Sequence, residues 1–211
     1  MRATSALGRL VRFGKSVVTT ADVALYLGLK RPAASRMLAS LAAARLVLSI
    51  RRGLWSLDLD VDPLLLPEHL TAPFPAYVSL QSALYLHGMI SQIPQVIYVV
   101  SLAPTRTLET TLGTYSIHRL APSFFGGFDT LEKGVRLACP EKALLDILYL
   151  SPARSRLFAA LPEVELPRGF SRSHARRWIA RIPAGPRRMA VEQRLAAILA
   201  ADGRRRRASV Q

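Results

Sequence analysis

The chain has almost no cysteine. Cys139 is the sole thiol in 211 residues, which excludes an internal disulfide framework and fits a reducing compartment. Long apolar runs are absent too. The longest, Val96 to Ala103, is strand length and far short of the roughly 20 residues a membrane helix needs. The opening Met1–Leu7 lacks the apolar core of a secretory signal, so a cytoplasmic location with no membrane partner is expected. No glycine loop followed by Lys-Ser or Lys-Thr cradles a phosphate, so a nucleotide-binding loop of that kind is not expected. There are no internal repeats.

Acidic residues are scarce, and their scarcity is local. The chain carries 29 Lys and Arg against 14 Asp and Glu. Residues 1–57 hold ten cations and one acid, Asp22, for a net of +9. Residues 58–150 have a net of −4, and residues 151–211 return to +10. Arg outnumbers Lys twenty-five to four, which a GC-rich coding sequence explains. Such a bias does not remove acids from one segment. Two basic ends around a mildly acidic middle point to a polyanion, whose counterions a basic face releases.

The N-terminal pattern supplies a shape for that face. Leu7, Leu10 and Val11 lie at helical spacing and predict a first helix over about 2–13. Thr19 and Asp22 have the spacing of a capping box ahead of Ala21, Ala24 and Leu25. Gly28 is placed to end that short helix in a left-handed turn. Pro32 suits the first position of a third helix reaching about Ala44, with Ala34, Met37, Leu38 and Leu41 on its apolar side. Alternation over Leu46–Arg51, a turn at Arg52-Gly53 and the return Leu54–Leu57 predict a hairpin. Helix, glycine turn, helix and basic hairpin together describe a winged helix-turn-helix. Its base-reading candidates are Lys30, Arg31, Ser35 and Arg36 at the start of the third helix, with Arg51 and Arg52 on the wing for phosphate or the minor groove.

The expected fold class is therefore α+β: a winged helix-turn-helix over 1–57, a linker over 58–66, a mixed α/β domain over 67–203 ending in helices, and a basic tail over 204–211. Asp58, Asp60 and Asp62 lack the glycine and later glutamate of a calcium loop and read as a solvated joint. A fragment ending near Leu57 is expected to fold on its own apolar stripes. Beyond the joint, Tyr77-Val78, Val96–Ser101 and Thr114–Leu120 read as strands, and Leu131–Ala138 as a hairpin around Lys133-Gly134. Ser79 is expected to cap a helix that Gly88 closes, and Pro140 to open another to Leu150. Further helices are expected at about 153–161, 172–182 and 187–201.

Catalytic and metal-binding arrangements are weak in the sequence. Glu141 and Lys142 are adjacent and diverge on a helix, so a nuclease cluster with Asp146 is not expected: Glu141 reads as an acid favouring the positive helix start, and Lys142 and Asp146 as a solvated face. His87 and His118 have no partner at ligand spacing and are expected to make hydrogen bonds, so no metal and no cofactor is expected. Ser79 and Ser82 lack a paired base, and Gly126-Gly127 reads as a turn. On the helix 172–182, Arg176 and Arg177 extend a basic stripe expected to touch the DNA backbone, while Trp178, Ile179 and Ile182 face inward.

Two stretches carry a resemblance: Tyr77–Ile90, YVSLQSALYLHGMI, and Ala138–Tyr149, ACPEKALLDILY, with Tyr115–Leu120 and Phe125-Gly126 between them. They resemble the AbiEi family of type IV antitoxins over roughly residues 5–150. The resemblance implies a DNA-binding autorepressor acting on inverted repeats in double-stranded DNA, and an antitoxin that counters a co-encoded nucleotidyltransferase-like toxin without a stable complex. Two alternatives stay open at this point. One is a stand-alone winged-helix transcription factor. The other is a nuclease with a winged-helix targeting domain.

Overall fold

The computed structural model describes residues 3–151 and 163–208. The expected helix at 153–161 lies outside them. The described residues form a mixed α+β fold with eight α-helices and two sheets. No helix among them is long and apolar enough to cross a membrane.

The N-terminal part runs α1 (Ala3–Val11), β1 (Val17–Thr19), α2 (Thr20–Leu27), α3 (Arg31–Ala43), β2 (Leu48–Arg51) and β3 (Leu54–Ser56). Its three strands form a small antiparallel sheet in the order β1-β3-β2. β1 was not expected. Val17 and Val18 precede the capping box, and only the distant pairing of Val17 with Ser56 reveals them as a strand. Pro32 falls at the second position of α3, after Arg31, with Lys30 as an N-cap that makes no side-chain cap bond. Leu10, Val18, Val23, Leu38, Leu41 and Trp55 form the core of this part.

A six-stranded sheet organises the rest, in the order β6-β7-β5-β4-β9-β8. Its strands are β4 (Ala76–Val78), β5 (Ile97–Ser101), β6 (Arg106–Thr110), β7 (Gly113–Arg119), β8 (Phe128–Thr130) and β9 (Arg136–Ala138). β6 was not expected, because its polar residues sit on a sheet edge with little apolar alternation. The hairpin around Lys133-Gly134 pairs β9 with β8, whose strand begins at Phe128 rather than Leu131. Strand alternation sends neighbouring side chains to opposite faces. Val100 joins the large core under α5 (Leu80–Leu86), α6 (Pro140–Leu150), α7 (Arg172–Ile179) and α8 (Pro186–Ala208). Val99, Tyr115 and Ile117 face the other way and meet Val17, Ile50 and Leu54 of the N-terminal sheet.

Two expectations change here. The segment 58–66 is exposed only over Asp58–Asp60, while Val61 and Leu66 are buried in the cluster between the sheets. Asp62 caps the 3-10 turn Pro63–Leu65 by accepting from the Leu64 N–H, and that turn leads into α4 (Leu66–Thr71). The basic tail expected over 204–211 is helical as far as Ala208, because α8 continues through it. Arg205 there pairs with Glu163 and donates to the Val164 carbonyl at 2.9 Å.

Candidate nucleic-acid interface

The start of α2 is locked by its own sequence. The Asp22 N–H donates to Thr19 Oγ1 at 3.1 Å, and Asp22 Oδ2 accepts from the Thr19 N–H and hydroxyl at 2.8 and 2.7 Å. Partial burial raises the Asp22 pKa, but the two Thr19 hydrogen bonds, with the nearby charges of Lys15 and His69, together hold the carboxyl below its ordinary value. The single acid of the first 57 residues is thus consumed in a cap. Gly28 follows with φ 66, a left-handed turn that only glycine adopts without strain, and redirects the chain into α3.

That turn fixes what α3 shows to solvent. Ala34, Leu38 and Leu41 are buried, while Lys30, Arg31, Ser35 and Arg36 are all exposed. The hairpin is tied to the same end of the molecule. The Thr20 N–H donates to the Gly53 carbonyl at 3.0 Å, and Trp55 Nε1 donates to Thr20 Oγ1 at 2.9 Å. Arg51 and Arg52 are exposed at the hairpin turn, beside the start of α2. Among the described residues, none of Lys30, Arg31, Arg36, Arg51 and Arg52 makes an ion pair. Five uncompensated cations on α3 and the hairpin make a surface suited to a polyanion.

The other basic surface lies elsewhere. On α7, Ala175, Trp178 and Ile179 are buried, and Arg172, Arg176 and Arg177 are exposed, as is Arg181 just past its end. Arg181 lies over the Trp178 ring at 4.2 Å, Arg187 over Tyr149 at 4.8 Å, and Arg188 pairs with Glu192 at 3.1 Å. Arg176 and Arg177 have no ion pair among the described residues. They are not brought together with the α3 arginines. α7 packs on one side of the six-stranded sheet, and the N-terminal part packs on the other.

The structure overturns the reading of Lys142 and Asp146 as a solvated face, while Glu141 stands in the first turn of α6 as expected. All three are buried. Lys142 forms an ion pair with Asp146, and its Nζ donates to the Tyr77 hydroxyl at 2.9 Å. Asp146 Oδ2 accepts from Tyr77 at 3.0 Å and from Ser79 at 2.7 Å, so the Ser79 hydroxyl serves Asp146 rather than capping α5. The rings of Phe124, Trp178 and Tyr77 surround the ammonium at 4.1, 5.3 and 5.6 Å. Burial pushes Lys142 down and Asp146 up from their ordinary values, with each ion opposing the shift of the other. Gly126 and Gly127 are more than a turn. A Cβ on Gly127 would stand 2.7 Å from Trp178 and 2.9 Å from the Lys142 stem, so the glycines let the indole close over the lysine. Because Lys142 and Asp146 are fully buried, this centre organises the core and offers no face to a substrate.

His87 Nε2 lies 2.7 Å from the Ala138 carbonyl, a hydrogen bond of the kind expected of it. His118 Nε2 lies 2.8 Å from Ser116 Oγ, and burial pushes its pKa down to about 4. A different set collects side chains with metal-ligand chemistry. Cys139, Glu141 and His174 each place one such atom within 4.8 Å of the others. His174 Nδ1 is 3.5 Å from Glu141 Oε2, and His174 Nε2 accepts from Trp178 Nε1 at 3.1 Å. Burial pushes the Cys139 thiol up to about 11, with Glu141 adding to the shift. No spacing rule reaches from Cys139 to His174, because α7 docks on α6 only through tertiary packing. The chain matches no protein-family model, and no curated protein matches it in sequence.

Proposed function

We propose that this chain is a DNA-binding autorepressor and the antitoxin of a type IV toxin-antitoxin system, countering a nucleotidyltransferase-like toxin in the cytoplasm. The observation that carries the DNA-binding reading is the unpaired cationic surface of Lys30, Arg31 and Arg36 on α3 and Arg51 and Arg52 on the hairpin. Its support is the order of elements, α2, a glycine turn and α3, followed by a hairpin whose sheet also takes in β1, which is the order expected of a winged helix-turn-helix. In such a motif the start of the second helix enters the major groove, where Arg pairs bidentately with guanine and Ser contacts several bases. The wing arginines then lie along phosphate or in the minor groove. An operator of inverted repeats takes two copies of the chain, one per half-site.

The antitoxin part rests on the resemblance, and the two stretches that carry it meet in the fold. The two stretches that carry it, Tyr77–Ile90 and Ala138–Tyr149, supply Tyr77 and Ser79 on one side and Lys142 and Asp146 on the other side of one buried network. Arg176 and Arg177 serve as a second phosphate-binding surface, for DNA that passes beyond the α3 site.

Fluorescence anisotropy with the DNA directly upstream of this reading frame, against a random duplex of equal length, tests the proposal. The upstream duplex is expected to bind at least tenfold more tightly at physiological salt, with affinity falling steeply as salt rises. Equal affinity for both duplexes overturns the repressor reading. Co-expression with the adjacent reading frame tests the second role: growth arrest relieved by this chain supports it, and arrest unrelieved removes it.

A further inference from the structure

We propose that Cys139, Glu141 and His174 bind a zinc ion that clamps α7 onto the start of α6. The inference is independent of the DNA-binding reading. The ligand set comes from two places, with Cys139 and Glu141 at the N-terminal end of α6 and His174 in the first turn of α7. The 3.5 Å between Glu141 Oε2 and His174 Nδ1 is close to the separation of two ligands on one tetrahedral zinc, about 3.4 Å for bonds of about 2.0–2.2 Å. The second carboxylate oxygen, Oε1, accepts from the Ser171 backbone N–H, which holds Glu141 with Oε2 toward the imidazole.

Charge argues the same way. Glu141 is only 5% exposed, yet among the described residues no lysine or arginine pairs with it. Its neighbour Lys142 is committed to Asp146. A buried carboxylate served by one N–H, the Cys139 thiol and an imidazole lacks a full counter-charge. A zinc ion with one carboxylate and one thiolate makes a neutral cluster. Thiolate, imidazole and carboxylate together suit zinc and not magnesium or calcium, which take oxygen ligands. Cys139 and His174 are partly exposed, which gives the ion access and leaves room for a water as fourth ligand.

Binding has a defined proton balance. The Cys139 thiol gives its proton to solvent. His174 Nε2 accepts from the Trp178 indole, so the ring proton sits on Nδ1; to coordinate through Nδ1 it must be carried on Nε2 instead. The Trp178 N–H then loses its acceptor and turns away. Each zinc therefore releases one proton and breaks one hydrogen bond of the indole that covers Lys142.

Cobalt is the probe, added to full-length protein stripped with a chelator. One equivalent is expected to give a thiolate-to-cobalt charge-transfer band and tetrahedral visible bands, both displaced by zinc. Cys139→Ser is expected to abolish the charge-transfer band and His174→Gln to weaken cobalt binding at least tenfold, with circular dichroism checking that each folds. Affinity is expected to rise about tenfold per pH unit, as one proton is expelled. In a Trp55→Phe background, zinc is expected to change Trp178 emission. Absence of the charge-transfer band with the wild-type chain at one equivalent overturns the proposal without appeal to any variant. Unchanged Trp178 emission on binding overturns coordination through His174 Nδ1.

Discussion

Thr111, at the turn between β6 and β7, donates from its hydroxyl to the Ser49 carbonyl at 2.8 Å. Its N–H also donates to the Ile50 carbonyl at 3.1 Å. The hairpin that carries Arg51 and Arg52 is therefore bonded to the edge of the large sheet. Beneath those bonds, Val17, Ile50 and Leu54 pack against Val61, Leu66, Val99, Tyr115 and Ile117.

The expectation that residues 1–57 fold alone changes accordingly. Cutting at Leu57 uncovers Val17, Ile50 and Leu54, at a cost of roughly 1.5–3 kcal/mol for each side chain fully exposed. Such a fragment is expected to unfold at much lower urea than the whole chain, or to show no cooperative transition. Chemical denaturation followed by circular dichroism decides. A fragment as stable as the full chain would mean that the shared cluster contributes little.

Gly127→Ala is expected to destabilise the chain by about 2–5 kcal/mol. The substitution imposes a positive φ of 74 on an alanine and drives its Cβ into Trp178 and the Lys142 stem. Gly134→Ala is the control, since its φ is also positive but no atom lies within 4 Å of the added carbon. Equal losses in the two variants would remove the packing part of the argument.

His118 makes stability depend on acid. Burial depresses its pKa from 6.5 to about 4 in the folded chain. Between those values the unfolded chain takes a proton that the folded chain refuses, so stability is full above pH 6.5 and falls towards pH 4. The loss attributable to this residue approaches about 3 kcal/mol at the bottom of that window. His118→Gln is expected to flatten the slope over that range in denaturation curves. An unchanged slope would show that other groups set it.

Arg36 and Arg52 are expected to fail differently. Arg36→Ala removes a base contact of roughly 1–3 kcal/mol and narrows the gap between upstream and random DNA. Arg52→Ala weakens both alike and lowers the salt slope by about one. Anisotropy titrations on the two duplexes at several salt concentrations separate them. Equal loss of both kinds of binding in Arg36→Ala would place this residue on the backbone.

Reversing Arg176 and Arg177 to Glu addresses the second basic surface. Since α7 and the N-terminal part lie on opposite sides of the six-stranded sheet, a short duplex is expected to bind the variant as it binds the wild type. On a duplex several turns longer, affinity and salt slope are expected to fall. If neither length is affected and relief of growth arrest is lost, these arginines belong to the antitoxin role.

Local chemistry was legible because it acts within a few residues. Thr19 and Asp22 spelled their cap, Gly28 its left-handed turn, Pro140 the start of α6, and the apolar spacing of α3 left Lys30, Arg31, Ser35 and Arg36 outward. The continuous apolar run of β5 and the alternation of β7 were legible for the same reason, and polar β6 was not. What tertiary structure decided lies between segments far apart in the chain. Lys142 looked like a surface residue because charge prefers water. It is buried because Asp146 one turn later, Tyr77 of β4 with Ser79 just after it, and Trp178 across Gly127 together replace the water it loses. Cys139, Glu141 and His174 meet for a related reason: the apolar face of α7 is buried on the same core as α6, and the site at its edge exists only once that face is covered.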